Sequence, residues 1–163
     1  MQAGSTISYR SRSSDISFLI VAALVLVADQ MTKRIVVATF LPGESRSVIP
    51  NFLRWTFEQN QHGAFGLFGS SRILLIAMAL VVLTIFWLSF RDATRHSVTA
   101  RIAFGLILGG AMGNIIDRLH YQYVIDFVDF YRIWPNVFNV ADACITVGVI
   151  LLLLSSLASR RHA

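Results

Sequence analysis

Cysteine occurs once in the 163 residues, at Cys144, and proline three times. A lone cysteine excludes an intrachain disulfide and a cysteine zinc cluster. Charge is also scarce: 14% of the residues are Asp, Glu, Lys or Arg, where a soluble domain carries roughly a quarter. With 55% hydrophobic residues and a mean hydropathy of +0.64, the chain is neither a disordered tail nor a solvating acidic module. Its length allows one domain, at most two. Nine acidic residues stand against fourteen Lys and Arg, leaving a net charge of +5. In a soluble chain that excess would raise nucleic acid as a partner. In a chain built for a bilayer, basic residues instead set orientation, and no nucleic-acid partner is expected.

What is present is apolar sequence in four stretches, each to be tested against the roughly 20 helical residues that cross a bilayer core. Ile73 to Phe90 gives 18 residues without a charge, bounded by Arg72 and Arg91. Phe138 to Leu157 gives 20, with one carboxylate, Asp142, near its start. The other two are short: 13 residues separate Asp15 from Asp29, and 15 separate Arg101 from Asp117. To span, the first helix must continue through Asp29, and the third must draw Asn114 and Asp117 to the membrane boundary. Polar residues therefore gather at helix ends.

An N-terminal signal peptide competes for the first stretch, because Arg10 and Arg12 precede it and Val27-Ala28 resembles a cleavage neighbourhood. Left uncleaved, four helices put both termini on one side. Basic residues divide equally between the two sides, but the inner segments are about half as long, and this density places the termini in the cytoplasm. The expected architecture is an all-α integral membrane protein, a single membrane domain over 1–163. Its transmembrane helices are expected at 16–36, 72–90, 102–119 and 138–158, joined by an outer β-containing loop at 37–71, a cytoplasmic loop at 91–101 and an outer loop at 120–137. A small extracytoplasmic β-sheet at the outer interface completes it. Ser47 to Phe57 puts Leu53, Trp55 and Phe57 on one face at period two, with Pro42-Gly43 and Pro50-Asn51 as turns. Tyr123 to Trp134 repeats the aromatic and β-branched theme. On the third helix Gly105, Gly109 and Gly113 form a ridge that lets another helix approach, Gly110 adding only looseness.

Ionisable groups at membrane helices are costly enough to suggest function. In this topology only Asp15 and Asp92 of the acidic residues are cytoplasmic; Asp29, Glu44, Glu58, Asp117, Asp126, Asp129 and Asp142 are outside. Asp29 and Lys33 are spaced for a helical ion pair, which is more simply a structural salt bridge. Asn114, Asp117 and Arg118 face one way and suit either a ligand or mutual neutralisation. Asp126 and Asp142 are 16 residues apart, on an excursion joining helix ends at the same membrane face, so the carboxylates can meet. Two close carboxylates share a proton, and such a pair can activate water while polarising a carbonyl. The plainer alternative is that Asp142 favours the helix N-terminus while Asp126 caps a turn. Asp126, Asp129 and Asp142 could also form part of a magnesium site, as in enzymes that transfer phosphoalcohols. A proton relay or small transporter using Asp29, Lys33, Asp117, Asp126 and Asp142 is a third class, although the second helix has no ionisable group. His62 and His120 lack zinc spacing, and Cys144 sits in an apolar helix as packing.

Four blocks in order then become recognisable. They are Asp29-Gln30-Met31-Thr32-Lys33, the run Gly109-Gly110-Ala111-Met112-Gly113-Asn114-Ile115-Ile116-Asp117-Arg118, Val124-Ile125-Asp126-Phe127, and Phe138-Asn139-Val140-Ala141-Asp142-Ala143. They resemble D-x-x-T-K, G-G-A-x-G-N-x-x-D-R, the segment around a first catalytic aspartate, and F-N-x-A-D of the lipoprotein signal peptidase (signal peptidase II) family. The resemblance covers most of the chain. One block departs: Asn60-Gln61-His62-Gly63-Ala64-Phe65 has His62 where the family's N-x-G-A-A-F has glycine, so the loop's backbone conformation and substrate preference are open at that point.

The resemblance implies an aspartic endopeptidase of the bacterial inner membrane, multi-pass, with its active site near the outer leaflet. Its substrates would be prolipoproteins carrying a diacylglyceryl group on cysteine, cut just before that residue. It implies Asp126 and Asp142 as the dyad, with Asn60, Asn114, Arg118 and Asn139 holding substrate or supporting the dyad, and Asp29 and Lys33 organising the end of the first helix. No metal or organic cofactor is implied. Membrane lipids are expected partners, and a monomer is expected.

Overall fold

A computed structural model describes residues 12–63 and 71–160. Four helices, α1 Arg12–Thr39, α2 Arg72–His96, α3 Val98–His120 and α4 Val140–Arg160, are each long and apolar enough to cross a membrane. Three strands, β1 Ser45–Ile49, β2 Leu53–Asn60 and β3 Val124–Asp129, form one antiparallel sheet in the order β1-β2-β3. The helices overrun their apolar runs. At 28 residues, α1 is about 42 Å long, and it continues unbroken through Val27 and Ala28 and through Asp29.

The loop expected at 91–101 is almost wholly helical. Ser97 alone separates α2 from α3 and caps both: its backbone N–H donates to Ala93 at 2.9 Å, and its hydroxyl accepts from the Ala100 N–H at 3.2 Å. One residue that satisfies two helix ends removes the need for a longer connection.

Helix α3 is the centre of the bundle. Of its most apolar window 61% is buried, against 6% for α2, which lies at the periphery. Its glycines explain the close packing on both sides. A Cβ at Gly105 or Gly109 would run into the backbone of α1 at Phe18 and Ala22, and one at Gly113 would meet the Asp29 carboxylate. Gly110, expected only to loosen the helix, faces the other way and admits α4, where a Cβ would meet the Ala141 carbonyl. Small residues are thus used on two faces, because α3 has two close neighbours. Phe18, Trp87 and Phe104 add an aromatic contact among α1, α2 and α3.

Ser47 to Phe57, expected as strand with a turn at Pro50-Asn51, is a hairpin, β1 and β2 folding back at Pro50 and Asn51, with Asn51 at φ 58°. Asn tolerates that left-handed conformation through its short polar side chain. The second outer segment is strand only as far as Asp129. Val36 at the end of α1 packs with Phe57, Ile125 and Phe127, which fixes the sheet to one end of the bundle. Phe138 then bridges to Val128 with backbone hydrogen bonds in both directions, at 2.7 and 3.0 Å. That bridge lays the start of α4 beside β3.

Candidate active site

Lys33 is buried with Asp29 and Asp117, all three at 1% exposure or less. Its ammonium reaches Asp29 at 2.9 Å, Asp117 at 2.8 Å and Asn114 Oδ1 at 2.9 Å, using all three of its donors. Both carboxylates accept further donors. Asp29 accepts the Ala141 N–H at 3.0 Å, while Asp117 accepts the Ile125 N–H at 3.1 Å and the Gln30 side-chain amide at 2.9 Å. The helical ion pair is therefore the centre of a network that ties α1 to α3, β3 and the first turn of α4. Asp117 pairs with Lys33, and Arg118 donates instead to the Asn114 carbonyl at 3.2 Å. Gln30 was not singled out in the sequence, although its place beside Asp29 inside the first block was the available signal.

Asn114 hands this network on. Its oxygen accepts from Lys33 and, at 3.2 Å, from the Asn139 amide, so its own amide points to Asp142 Oδ1 at 2.8 Å. Asn139 precedes α4 and exchanges hydrogen bonds with Asp142: the Asp142 N–H donates to Asn139 Oδ1 at 2.9 Å, and the Asn139 N–H donates to Asp142 Oδ2 at 3.3 Å. Such an exchange satisfies orphan donors at a helix start. The same Asn139 donates its side-chain amide to Asp126 Oδ1 at 2.6 Å, and Asn60 donates to Asp126 Oδ2 at 2.9 Å. Each oxygen of both aspartates thus has a donor.

Asp126 and Asp142 line one cavity of about 860 Å³ together with Asn60, Asn114 and Arg118. Burial of Asp126, followed by the nearby Asp142 charge, pushes its carboxyl up to about 8, against the opposing effect of its asparagine donors and Lys33. A pair in that state can hold one proton at neutral pH. Arg118 is half-buried at the cavity wall, and its Nε meets no hydrogen-bond partner among the described residues. A guanidinium so placed suits a carbonyl oxygen of a bound peptide.

The Asn60 turn accounts for the departure at His62. Asn60 Oδ1 accepts the backbone N–H groups of His62 and Gly63 at 3.1 and 3.0 Å. The left-handed conformation falls on Gly63, φ 72°, so the turn keeps a glycine where its backbone demands one while His62 lines the cavity. Ala64 and Phe65 of that block lie outside the described residues.

Comparison with known proteins bears on this geometry. A family model described as signal peptidase (SPase) II matches residues 21–158. The chain belongs to the signal peptidase II family. A lipoprotein signal peptidase of Moorella thermoacetica is 42% identical over 135 residues, covering 83% of this chain and 89% of that protein. Another, from Syntrophomonas wolfei subsp. wolfei, is 45% identical over 132 residues, covering 80% and 86%. Among solved structures, a bacterial membrane enzyme determined by the in meso method at 2.3 Å matches with a TM-score of 0.78 and 32% identity, covering 88% of this chain and 89% of that one. The matched range of this signal peptidase II family member takes in the Lys33 network and both cavity aspartates.

Proposed function

We propose that the chain is an aspartic endopeptidase that removes signal peptides from diacylglyceryl-modified prolipoproteins, cutting just before the lipidated cysteine. The observation that carries this reading is the pair Asp126 and Asp142, each held by amide donors on one cavity, with Asp126 raised to about 8. The pair shares one proton, which the steps below place on Asp126, with Asp142, in the first turn of α4, as the ionised member.

Asp142 takes a proton from water as the water oxygen attacks the scissile carbonyl carbon, and Asp126 gives its proton to the carbonyl oxygen. Asp142 then protonates the amide nitrogen, the C–N bond breaks, and a diol proton returns to Asp126. Asn114 and Asn139 keep the carboxylates in place throughout, while Arg118 and Asn60 hold the peptide backbone. A single copy suffices, since the donors to both aspartates come from one chain. The magnesium reading finds less support, because Asp129 accepts the Thr56 hydroxyl at 3.1 Å while Asp126 and Asp142 are taken up by asparagines. The relay reading is disfavoured because the buried polar network lies at the sheet end of the bundle. The greater density of Lys and Arg in the short segments that share a side with the termini supports a cytoplasmic location for them, with the sheet and the site at the outer leaflet of a bacterial inner membrane.

The test uses purified protein and a lipid-modified prolipoprotein. Asp126→Asn and Asp142→Asn should each lower cleavage by about a thousandfold, within the range of general acid–base catalysis, while a chelator has no effect. Cleavage retained in either folded variant, or abolished by chelator and restored by magnesium, would overturn the assignment.

A further inference from the structure

The β2–β3 ladder sets Glu58 directly opposite Asp126. Residues so paired project from the same face of a sheet with Cβ atoms about 5 Å apart, and both side chains line the cavity, as does Asn60 two residues further along β2. The other carboxylates nearby are committed: Asp126 to Asn60 and Asn139, Asp142 to Asn114 and Asn139, Asp129 to Thr56. Glu58 has no hydrogen-bond donor and no cation against it among the described residues. Partial burial, and then the charge of Asp129, raise its carboxyl above the ordinary range. Arg118, which lines the same cavity, forms no ion pair with it. The cavity rim on the sheet side therefore presents, near Asp129, a carboxylate with no cation against it among the described residues.

The position on the sheet says which part of a substrate would meet this group. The sheet caps the bundle where α1 and α3 end and α4 begins. On the peptidase reading, an apolar signal segment would lie along the helices, and the polar segment beyond the scissile bond would leave past β2. We infer that Glu58 is a specificity-determining residue that favours a lysine or arginine in the substrate just after the lipidated cysteine. This inference rests on the peptidase reading above and adds a charge preference to it. A half-exposed carboxylate attracts a cation and repels an anion only modestly, so it sorts substrates and is not required for the chemistry.

The experiment compares three diacylglyceryl-modified peptides that differ only in carrying lysine, glutamine or glutamate at the two positions after the lipidated cysteine. With the full-length protein in neutral detergent at low salt, kcat/KM should favour lysine over glutamate by about three- to ten-fold, mostly through KM. The ratio should shrink as salt screens the contact. Glu58→Gln should bring it close to one while still cutting the glutamine peptide at the wild-type rate, and Glu58→Lys should invert it. An unchanged ratio in both variants, or no charge preference in the wild type, would overturn the inference and leave the peptidase reading standing. Cleavage of none of the three by the wild type would remove the peptidase reading and this inference together.

Discussion

Lys33 and Asp142 are joined through a single side chain, that of Asn114, which accepts from the ammonium at 2.9 Å and donates to the carboxylate at 2.8 Å. The arrangement fixes which end of the amide faces Asp142, because the ammonium cannot act as an acceptor. A cation that never enters the cavity thereby sets the orientation of a group that does.

Replacing Lys33 should show both of its roles. Lys33→Met leaves Asp29 and Asp117 buried without their cation, a loss of about 3–5 kcal/mol by the precedent of broken buried pairs. Denaturant unfolding in detergent should register it. Adding Asp29→Asn and Asp117→Asn to that variant should return much of the stability. Activity should stay low in the refolded triple variant, since the Asn114 oxygen then keeps only the longer bond from Asn139, at 3.2 Å, to hold its orientation. Full activity there would show that Lys33 serves the fold alone.

Asp126 gives a pH dependence with a definite sign. Its carboxyl is near 8 when folded and near 4 in an unfolded chain. Between those values the folded protein binds a proton that the unfolded chain does not. The contribution to stability is therefore complete below about pH 4 and is lost as pH rises towards about 8. Unfolding followed by denaturant at several pH values should show this decline, and Asp126→Asn should flatten it. Cleavage should also fall as pH passes about 8, because the proton that the proposed mechanism takes from Asp126 is then gone.

Helix packing supplies a prediction independent of the chemistry. Gly109 and Gly110 are adjacent, yet one meets α1 at Ala22 and the other meets α4 at Ala141. Gly109→Ala and Gly110→Ala should each cost about 1–3 kcal/mol, as overpacking does in a close-packed interior. At Gly43 a Cβ would find open space but the backbone sits at φ 80°, so Gly43→Ala should cost about 1 kcal/mol through conformation alone. Thermal unfolding should show the Gly109 and Gly110 variants more destabilised than the Gly43 variant, and a Gly110→Ala protein as stable as the wild type would show that α4 can move away freely.

These contacts indicate what could be read from the residues beforehand. Four spans, and the gathering of polar groups at helix ends, were legible because hydropathy and helix length are local properties. The meeting of Asp126 with Asp142 was legible only as a possibility, since the bridge from Phe138 to Val128 that brings them together is a backbone contact with no side-chain signature. The Ser97 cap is not legible in advance, because a single serine between His96 and Val98 looks like part of an ordinary loop. Gly110 was misjudged because a spacing of four defines one helix face and is silent on the next. Glu58 could not be placed either. Its facing Asp126 depends on the irregular register between Trp55 and Glu58, which sequence periodicity does not encode.

The cavity wall on α4 leads to a last prediction. Beyond Asp142 it continues through Ile145, Thr146 and Val147, and Val147 is exposed to 49% on an otherwise apolar surface. A diacylglyceryl group placed along that wall would bury methylenes at about 0.8 kcal/mol each. Binding energy gained there, away from the reacting bond, can support positioning of the carbonyl between Asp126 and Asp142. An otherwise identical peptide lacking the lipid should therefore be cut with a kcat/KM lower by about tenfold or more, the worth of only two such methylenes. Val147→Asp should penalise the lipidated peptide and leave the unlipidated one nearly unchanged. Equal rates on the two peptides in the wild type would show that the lipid serves only to hold the substrate in the membrane, and that the α4 wall takes no part in recognition.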